Sequence, residues 1–217
     1  VWLMDDTAAG QSAADKLEGV ALWLRTERAD AVVITALDSI AWLLNIRGAD
    51  VARTPVALSF AIVHADGRAT WFIDPAKVDP TVRQQLGHAV SIADRAALAT
   101  ALDAFSGKRV AVDPERTVIA IIDRLEATGA TVLRRRDPTI LPKATKNAVE
   151  LSGMRAAHVR DGAALSRFLR WVGPAAEQGA VDELAAAAEL ERIRREDNGL
   201  VDLSFDTIAG AGPNGAL

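Results

Sequence analysis

Residues 109–133 read RVAVDPERTVIAIIDRLEATGATVL. A strand pattern at Arg109–Val112 precedes a helical pattern at Thr117–Ala127, Gly129 ends the helix, and a second strand pattern follows at Thr131–Leu133. Strands that alternate with helices at this spacing are typical of α/β domains built on a largely parallel sheet. The stretch therefore predicts an α/β fold.

The residues before this stretch repeat the alternation and add one hairpin. Apolar residues at helical spacing predict a helix over Gln11–Arg28, and the β-branched run Ala31–Ala36 predicts a buried strand. Strand patterns at Leu58–Val63 and Ala69–Ile73 flank His64–Gly67, whose Asp-Gly pair is a strong hairpin signal. The other predicted elements are a short helix capped by Asp38 and Ser39, a helix opened by Asp79-Pro80, a strand at Ala89–Ile92 and a helix at Arg95–Phe105. Residues 1–141 are thus expected to form one domain with a mixed, mostly parallel sheet flanked by helices.

The pattern changes after a break at Asp137–Thr145, where two prolines and a polar run interrupt it. The elements predicted beyond the break are a helix from Asn147 to Val172 stopped by Gly173-Pro174, a helix from Val181 to Arg195 closed by Asp197-Asn198-Gly199, and an apolar strand over 200–208. Two helices and one strand cannot bury their own apolar surface, so residues 142–217 are expected to be the first part of an incomplete α+β domain. Both ends of the chain are expected to be cut from a longer protein.

The composition limits the function classes. The 217 residues are 50% hydrophobic and 25% charged with a net charge of −4, a globular composition without the basic surplus that nucleic acid or an anionic membrane surface requires. The absence of cysteine excludes disulfides, thiolate catalysis and cysteine-based zinc sites. No apolar stretch approaches the roughly 20 residues of a membrane helix. We expect a cytoplasmic protein with no nucleic-acid or membrane partner.

Few side chains suit catalysis or metal binding. The three histidines, His64, His88 and His158, form no metal-binding pair in sequence; the first two are expected to face solvent and the third to have a structural role. Asp202 and Asp206 are four residues apart and share one face of the predicted strand. No third ligand is near them in sequence, so a metal site is not favoured there.

Two loops have a distinctive composition. Gly210–Gly215 has no lysine and no following helix, so it does not match a phosphate-binding loop; its small residues favour close approach of the backbone to a neighbouring strand or a substrate. Arg47, between Asn45 and Asp50, leaves two interpretations open. It reaches a carboxylate or a partner chain, or it braces its own loop through hydrogen bonds to carbonyl groups.

Three blocks carry a family resemblance, and they follow the order of the family. Residues 37–50, LDSIAWLLNIRGAD, closely resemble the middle domain of the three-domain aminopeptidases P, the Xaa-Pro aminopeptidases of the peptidase M24 group. Residues 146–162, KNAVELSGMRAAHVRDG, resemble the opening helix of their pita-bread catalytic domain. Residues 203–216, LSFDTIAGAGPNGA, resemble the strand and loop that lead into the active site.

The resemblance implies a function for a parent protein. That protein would remove the N-terminal residue from peptides with proline second, as a homodimer, with two divalent ions, usually Mn²⁺, that activate a bridging water and polarise the peptide carbonyl. In the family, the metal ligands (two Asp, one His and two Glu) and the substrate-binding histidines follow the Pro-Asn-Gly-Ala segment. No catalytic or metal-binding residue, no bound metal and no activity are therefore expected for these 217 residues alone. Val201 and Phe205 are expected near the substrate pocket because their strand leads to it.

Two alternatives to this function remain open. Pita-bread domains also occur in non-catalytic relatives that act as peptide- or protein-binding modules. Other M24 hydrolases, of the creatinase or prolidase type, share the same domain. Intact metal ligands in the parent protein would indicate an enzyme, and substituted ligands would indicate a binding module. A further α/β domain upstream of Val1 would favour an aminopeptidase P over a creatinase or prolidase.

Overall fold

The computed structural model describes residues 1–197 and 199–215 of the chain. Their strands are β1 (Trp2–Leu3), β2 (Ala31–Ile34), β3 (Ile46–Arg47), β4 (Phe60–His64), β5 (Ala69–Phe72), β6 (Val90–Ala93), β7 (Arg109–Val112) and β8 (Thr131–Arg134). Their α-helices are α1 (Asp6–Ala9), α2 (Ala13–Glu27), α3 (Leu37–Leu43), α4 (Pro80–Leu86), α5 (Leu98–Asp103), α6 (Ile119–Ala127), α7 (Ile140–Ala144), α8 (Ala148–Glu177) and α9 (Glu183–Arg195). In the described residues, no helix has the length and apolar character needed to cross a membrane.

The chain divides into two compact units, Val1–Glu150 and Leu151–Leu217. The first unit contains a six-stranded sheet in the order β6-β5-β4-β2-β7-β8. The pairs β5–β6, β2–β7 and β7–β8 are parallel, whereas β4 is antiparallel to both β2 and β5. The predicted mixed, mostly parallel sheet is confirmed. The predicted hairpin is the antiparallel pair β4–β5, and Gly67 takes the positive φ of +85° that its turn requires.

Alternation along the strands divides the apolar core between the two faces of the sheet. On one face Val32 and Ile34 of β2 pack with apolar residues of α2 such as Leu24. On the other face Val33 packs with residues of α5 and α6 such as Leu125. Helices thus flank both faces of the sheet, which explains why β2 and β7 are continuous apolar runs.

Helix α3 begins differently from its prediction. Its N-cap residue is Ala36, and no side chain caps it. Asp38 lies inside the first turn and forms an ion pair with Lys143, while Ser39 is fully buried. The predicted cap at Asp38 and Ser39 is therefore wrong, because both residues lie inside the helix, where Asp38 pairs with Lys143 and the buried hydroxyl of Ser39 has no hydrogen-bond partner among the described residues.

Helix α8 begins with a reciprocal cap. The Asn147 side chain accepts hydrogen bonds from the backbone N–H groups of Val149 and Glu150, both at 2.9 Å, and Glu150 accepts one from the N–H of Asn147 at 2.9 Å. The predicted stop at Gly173-Pro174 is wrong, since the helix continues to Glu177. Proline has a helical φ and loses only its own N–H bond, so one more turn forms beyond it.

The second unit differs from prediction at its C-terminal side. Residues 200–208 form no strand, because a strand requires a neighbour to pair with and residues 151–197 and 199–215 contain none. The predicted terminal strand is therefore wrong for the described structure. Helix α9 ends at Arg195, as predicted; of the three residues predicted to close it, Asn198 lies outside the described residues.

Candidate functional site

The two residues predicted to lie near substrate are on the irregular segment 200–208. The side chains of Val201 and Phe205 are 80% and 68% exposed, and Leu203 between them is buried. This alternation differs from that of a strand, in which positions two apart share a face. Val201 and Phe205 therefore present open apolar surface on either side of a buried Leu203.

The loop that follows this segment is held by a carboxylate. Oε1 of Glu183, in the first turn of α9, accepts hydrogen bonds from Nδ2 of Asn214 and from the backbone N–H of Ala211, both at 3.0 Å. The hydrogen bond from Asn214 is the larger cause and the one from Ala211 the smaller cause of a pKa of Glu183 below its ordinary value. A Cβ at Gly210 would lie only 2.5 Å from the carbonyl oxygen of Asn214. The predicted close backbone approach is thus present, and its partner is the same loop rather than a neighbouring strand.

The described residues do not fit a dinuclear metal centre. Among residues 1–197 and 199–215, no three His, Asp or Glu side chains are grouped so that they could hold a metal ion. Asp202 and Asp206 are not joined by a third ligand, and His158 is exposed on α8. This part of the chain does not assemble the five donors that the family resemblance implies.

The prediction that His64 faces solvent from its turn is wrong. It lies half-buried at the end of β4, and its ring stacks on Phe105 with centroids 6.0 Å apart and planes 18° from parallel. Burial lowers the pKa of His64, which favours the neutral imidazole. The two rings line an open pocket of about 500 Å³ together with charged side chains that include Asp30 and Lys108. His88 is exposed.

Arg47 braces its own loop. Its Nη1 donates hydrogen bonds to the carbonyl oxygens of Ala41, at 3.1 Å, and Ile46, at 2.8 Å. Burial lowers the pKa of the guanidinium from its usual value. The bracing interpretation of Arg47 is confirmed.

A buried polar cluster beside Arg47 was not predicted. The ammonium group of Lys16 donates to Oδ1 of Asn45 at 2.5 Å and to the carbonyl oxygen of Trp42 at 2.9 Å, and it lies 4.4 Å from the centroid of the Trp42 ring. Asn45 in turn donates to Asp6 at 2.9 Å and to the carbonyl of Gln11 at 2.8 Å. Burial lowers the pKa of Lys16 to about 8. The sequence does contain a signal for the burial of Lys16, because position 16 falls on the apolar stripe of α2.

Comparison with known proteins identifies the domain. The family model of the creatinase/prolidase N-terminal domain matches residues 1–150. The chain belongs to this family. The family model of metallopeptidase family M24 matches residues 152–217, which follow the creatinase/prolidase-type domain directly.

Curated relatives match over the whole chain. The probable Xaa-Pro aminopeptidase P of Laccaria bicolor is 37% identical over an alignment of 224 positions that covers 100% of this chain and 34% of that protein. Xaa-Pro aminopeptidase 1 of Dictyostelium discoideum is 32% identical over 100% of this chain and 35% of its own length. The resemblance to aminopeptidases P is confirmed. The chain spans about a third of the length of these relatives.

Solved structures agree with these relatives. The crystal structure of X-prolyl aminopeptidase from Caenorhabditis elegans, described as a cytosolic enzyme with a di-nuclear active site, superposes with a TM-score of 0.88 and 31% identity. The match covers 95% of this chain and 35% of that one. Xaa-Pro dipeptidase from Bacillus anthracis shares the fold, with a TM-score of 0.63 at 16% identity over 85% of this chain and 49% of that one.

Proposed function

We propose that this chain is part of a metal-dependent aminopeptidase that removes the N-terminal residue from peptides with proline in the second position. The observation that carries the proposal is the match to Xaa-Pro aminopeptidases across 100% of the chain in sequence and 95% in structure. The activity is that of a parent protein, since the chain corresponds to 34% of the Laccaria relative. We divide the chain functionally at the break near residue 141, with a creatinase-type domain over 1–141 and the start of the peptidase domain over 142–217.

The parent protein is proposed to hold two divalent ions, with Mn²⁺ as the metal. The C. elegans neighbour is described as having a di-nuclear active site, which supports two metals. The ligands are expected outside the described residues, because these contain no suitable group. Elemental analysis of the purified parent should find about two metal ions per chain. A metal-free protein that is fully active would contradict this part of the proposal.

The parent protein is further proposed to be a cytoplasmic homodimer. The C. elegans neighbour is described as cytosolic, which supports the location. The dimer rests on the family resemblance alone. Light scattering coupled to size-exclusion chromatography should give twice the mass of one chain, and a single-chain mass at micromolar concentration would rule the dimer out.

Val201 and Phe205 are proposed to contact the substrate. Their exposure on either side of the buried Leu203 supports this role. In the parent, Phe205→Ala is expected to raise KM about tenfold with little change in kcat, because burial of one large apolar side chain stabilises binding by 1.5–3 kcal/mol or so. Ile208→Ala, another exposed apolar residue of the segment, is the matched control. Equal effects of the two substitutions would contradict a specific contact.

The substrate class is tested with a panel of peptides. The parent protein, loaded with Mn²⁺, is given an Xaa-Pro-Yaa tripeptide, the matching Xaa-Ala-Yaa peptide and an Xaa-Pro dipeptide. Release of the first residue from the Xaa-Pro tripeptide, with little cleavage of the alanine peptide, is expected. Cleavage of the dipeptide alone would indicate a prolidase, and binding of the peptides without cleavage would indicate a non-catalytic relative.

A further inference from the structure

The first unit contains a second pocket, beside Trp42. It has a volume of about 460 Å³ and lies between α2, α3 and residues 136–142. Its apolar lining includes Val20, Trp23, Trp42 and Leu141. This volume and this aromatic lining are typical of sites for small molecules. We call it the tryptophan pocket.

One buried donor and one exposed cation of the tryptophan pocket have no acceptor in the described part of the chain. Nε1 of Trp42 is buried and has no hydrogen-bond partner among the described residues. Such a donor costs free energy unless an acceptor reaches it. Arg136, which also lines the pocket, forms no ion pair or side-chain hydrogen bond with any residue in 1–197 or 199–215. Lys16 adds a buried positive charge at the indole ring.

The acidic residues of the pocket already have donors of their own. Oδ1 of Asp137 accepts hydrogen bonds from the backbone N–H and the hydroxyl of Thr139, at 2.8 Å and 2.7 Å. Asp15 accepts one from the hydroxyl of Ser12 at 2.8 Å. Lys16 already donates to Asn45 and to the carbonyl of Trp42, so the donors that lack a protein acceptor are Nε1 of Trp42 and the guanidinium of Arg136. The charge of Arg136 favours an acceptor with negative charge.

We propose that the tryptophan pocket binds a small monocarboxylate that carries an aliphatic or aromatic group. The carboxylate accepts from Arg136 and from the indole N–H of Trp42 once the ligand has opened access to that atom. The apolar group packs against Trp23, Val20 and Leu141, where an aromatic ring contributes both buried area and favourable ring contacts. This binding does not depend on the proposed aminopeptidase activity.

The test is a titration of the 217-residue chain with 3-phenylpropionate, followed by the ¹H–¹⁵N signals of the tryptophan side chains. The indole N–H signal of Trp42 is expected to move saturably, and 3-phenylpropionamide, which has the same shape without the charge, should bind roughly tenfold more weakly. Acetate, which lacks the apolar group, should not saturate the signal in the same range. Absence of a saturable shift, or equal binding of the amide, would overturn the proposal.

Two variants distinguish specific binding in the pocket from nonspecific attraction to surface arginines. Arg136→Gln should weaken binding of 3-phenylpropionate about tenfold, because a hydrogen bond to a charged group is lost. Arg134→Gln is the matched control, since Arg134 belongs to the same run of arginines and does not line the pocket. Equal weakening by the two substitutions would mean nonspecific attraction and would refute the site. The unchanged spectrum of each free variant verifies that the fold is retained.

Discussion

At the scale of single residues, Lys16 links the stability of the fold to pH. Its ammonium group is buried on the apolar face of α2, and burial is the first cause of its low pKa. The pKa is about 8 in the folded chain against 10.5 for an ordinary lysine. Between these two values the unfolded chain binds more protons than the folded chain, so the folded state becomes relatively more stable as the pH rises.

The free energy of unfolding should therefore show a component that increases from about pH 8 to 10.5 and that depends on Lys16. Urea titrations at several pH values measure it. In Lys16→Met this component should disappear, whereas Lys108→Met, at an exposed lysine, should retain it. An identical pH dependence in the wild-type chain and Lys16→Met would show that the Lys16 pKa is not lowered by folding.

Position 10 has no room for a side chain larger than that of glycine. It has a φ of +70°, and a Cβ there would lie 2.5 Å from Oδ1 of Asn147 and 2.8 Å from Cβ of Val149. Gly10→Ala should destabilise the chain by at least about 1–2 kcal/mol, from the left-handed backbone alone. The control is Gly19→Ala in the exposed face of α2, where a Cβ meets nothing within 4 Å; it should stabilise by about 0.5–1 kcal/mol. Chemical denaturation compares the two, and a neutral Gly10→Ala would contradict the packing around Asn147.

At the scale of the elements, the two units should differ in local stability. The strands β2 and β7 lie in the middle of the sheet and are buried, whereas residues 200–208 pair with no strand of the described chain and expose Val201, Phe205 and Ile208. Hydrogen exchange should be slowest in β2 and β7 and close to the unprotected rate over 200–208. Protection over 200–208 equal to that of β2 would contradict this difference.

The elements that could be predicted are those fixed by local pattern. The stretch 109–133 folds as a strand, a helix and a strand because short β-branched runs flank a segment whose apolar residues have helical spacing, and Gly129 ends that helix. Asp79-Pro80 begins α4, because Asp79 caps it and proline suits its first position. The hairpin after β4 follows from Asp66-Gly67 in the same way. These signals lie within a few residues of the structure that they determine.

The features that could not be predicted depend on distant parts of the chain. His64 is half-buried because Phe105, which is distant in sequence, stacks on it. Asp38 leaves its predicted cap for an ion pair with Lys143. The apolar pattern of residues 200–208 predicted a strand, but a strand needs a partner that the described residues do not contain. The donors of the tryptophan pocket, likewise, meet only through folding.

At the scale of the whole molecule, the described residues form a folded domain but contain no group of metal ligands. The creatinase/prolidase-type domain has a complete sheet with helices on both faces, and residues 152–217 match the M24 family. The described residues hold no group of metal ligands, although relatives that match the whole chain are named Xaa-Pro aminopeptidases. We therefore propose that this chain supplies part of the fold of an aminopeptidase and that the metal ligands lie elsewhere in the parent protein.

The most direct test is the rate of proline-peptide cleavage by two proteins, the 217-residue chain and its parent, at equal concentration with saturating Mn²⁺ and one Xaa-Pro-Yaa peptide. Circular dichroism first verifies that the short chain is folded. We expect metal-dependent release of the first residue by the parent and no release above background by the 217-residue chain. Cleavage by the short chain at the rate of the parent would contradict the claim.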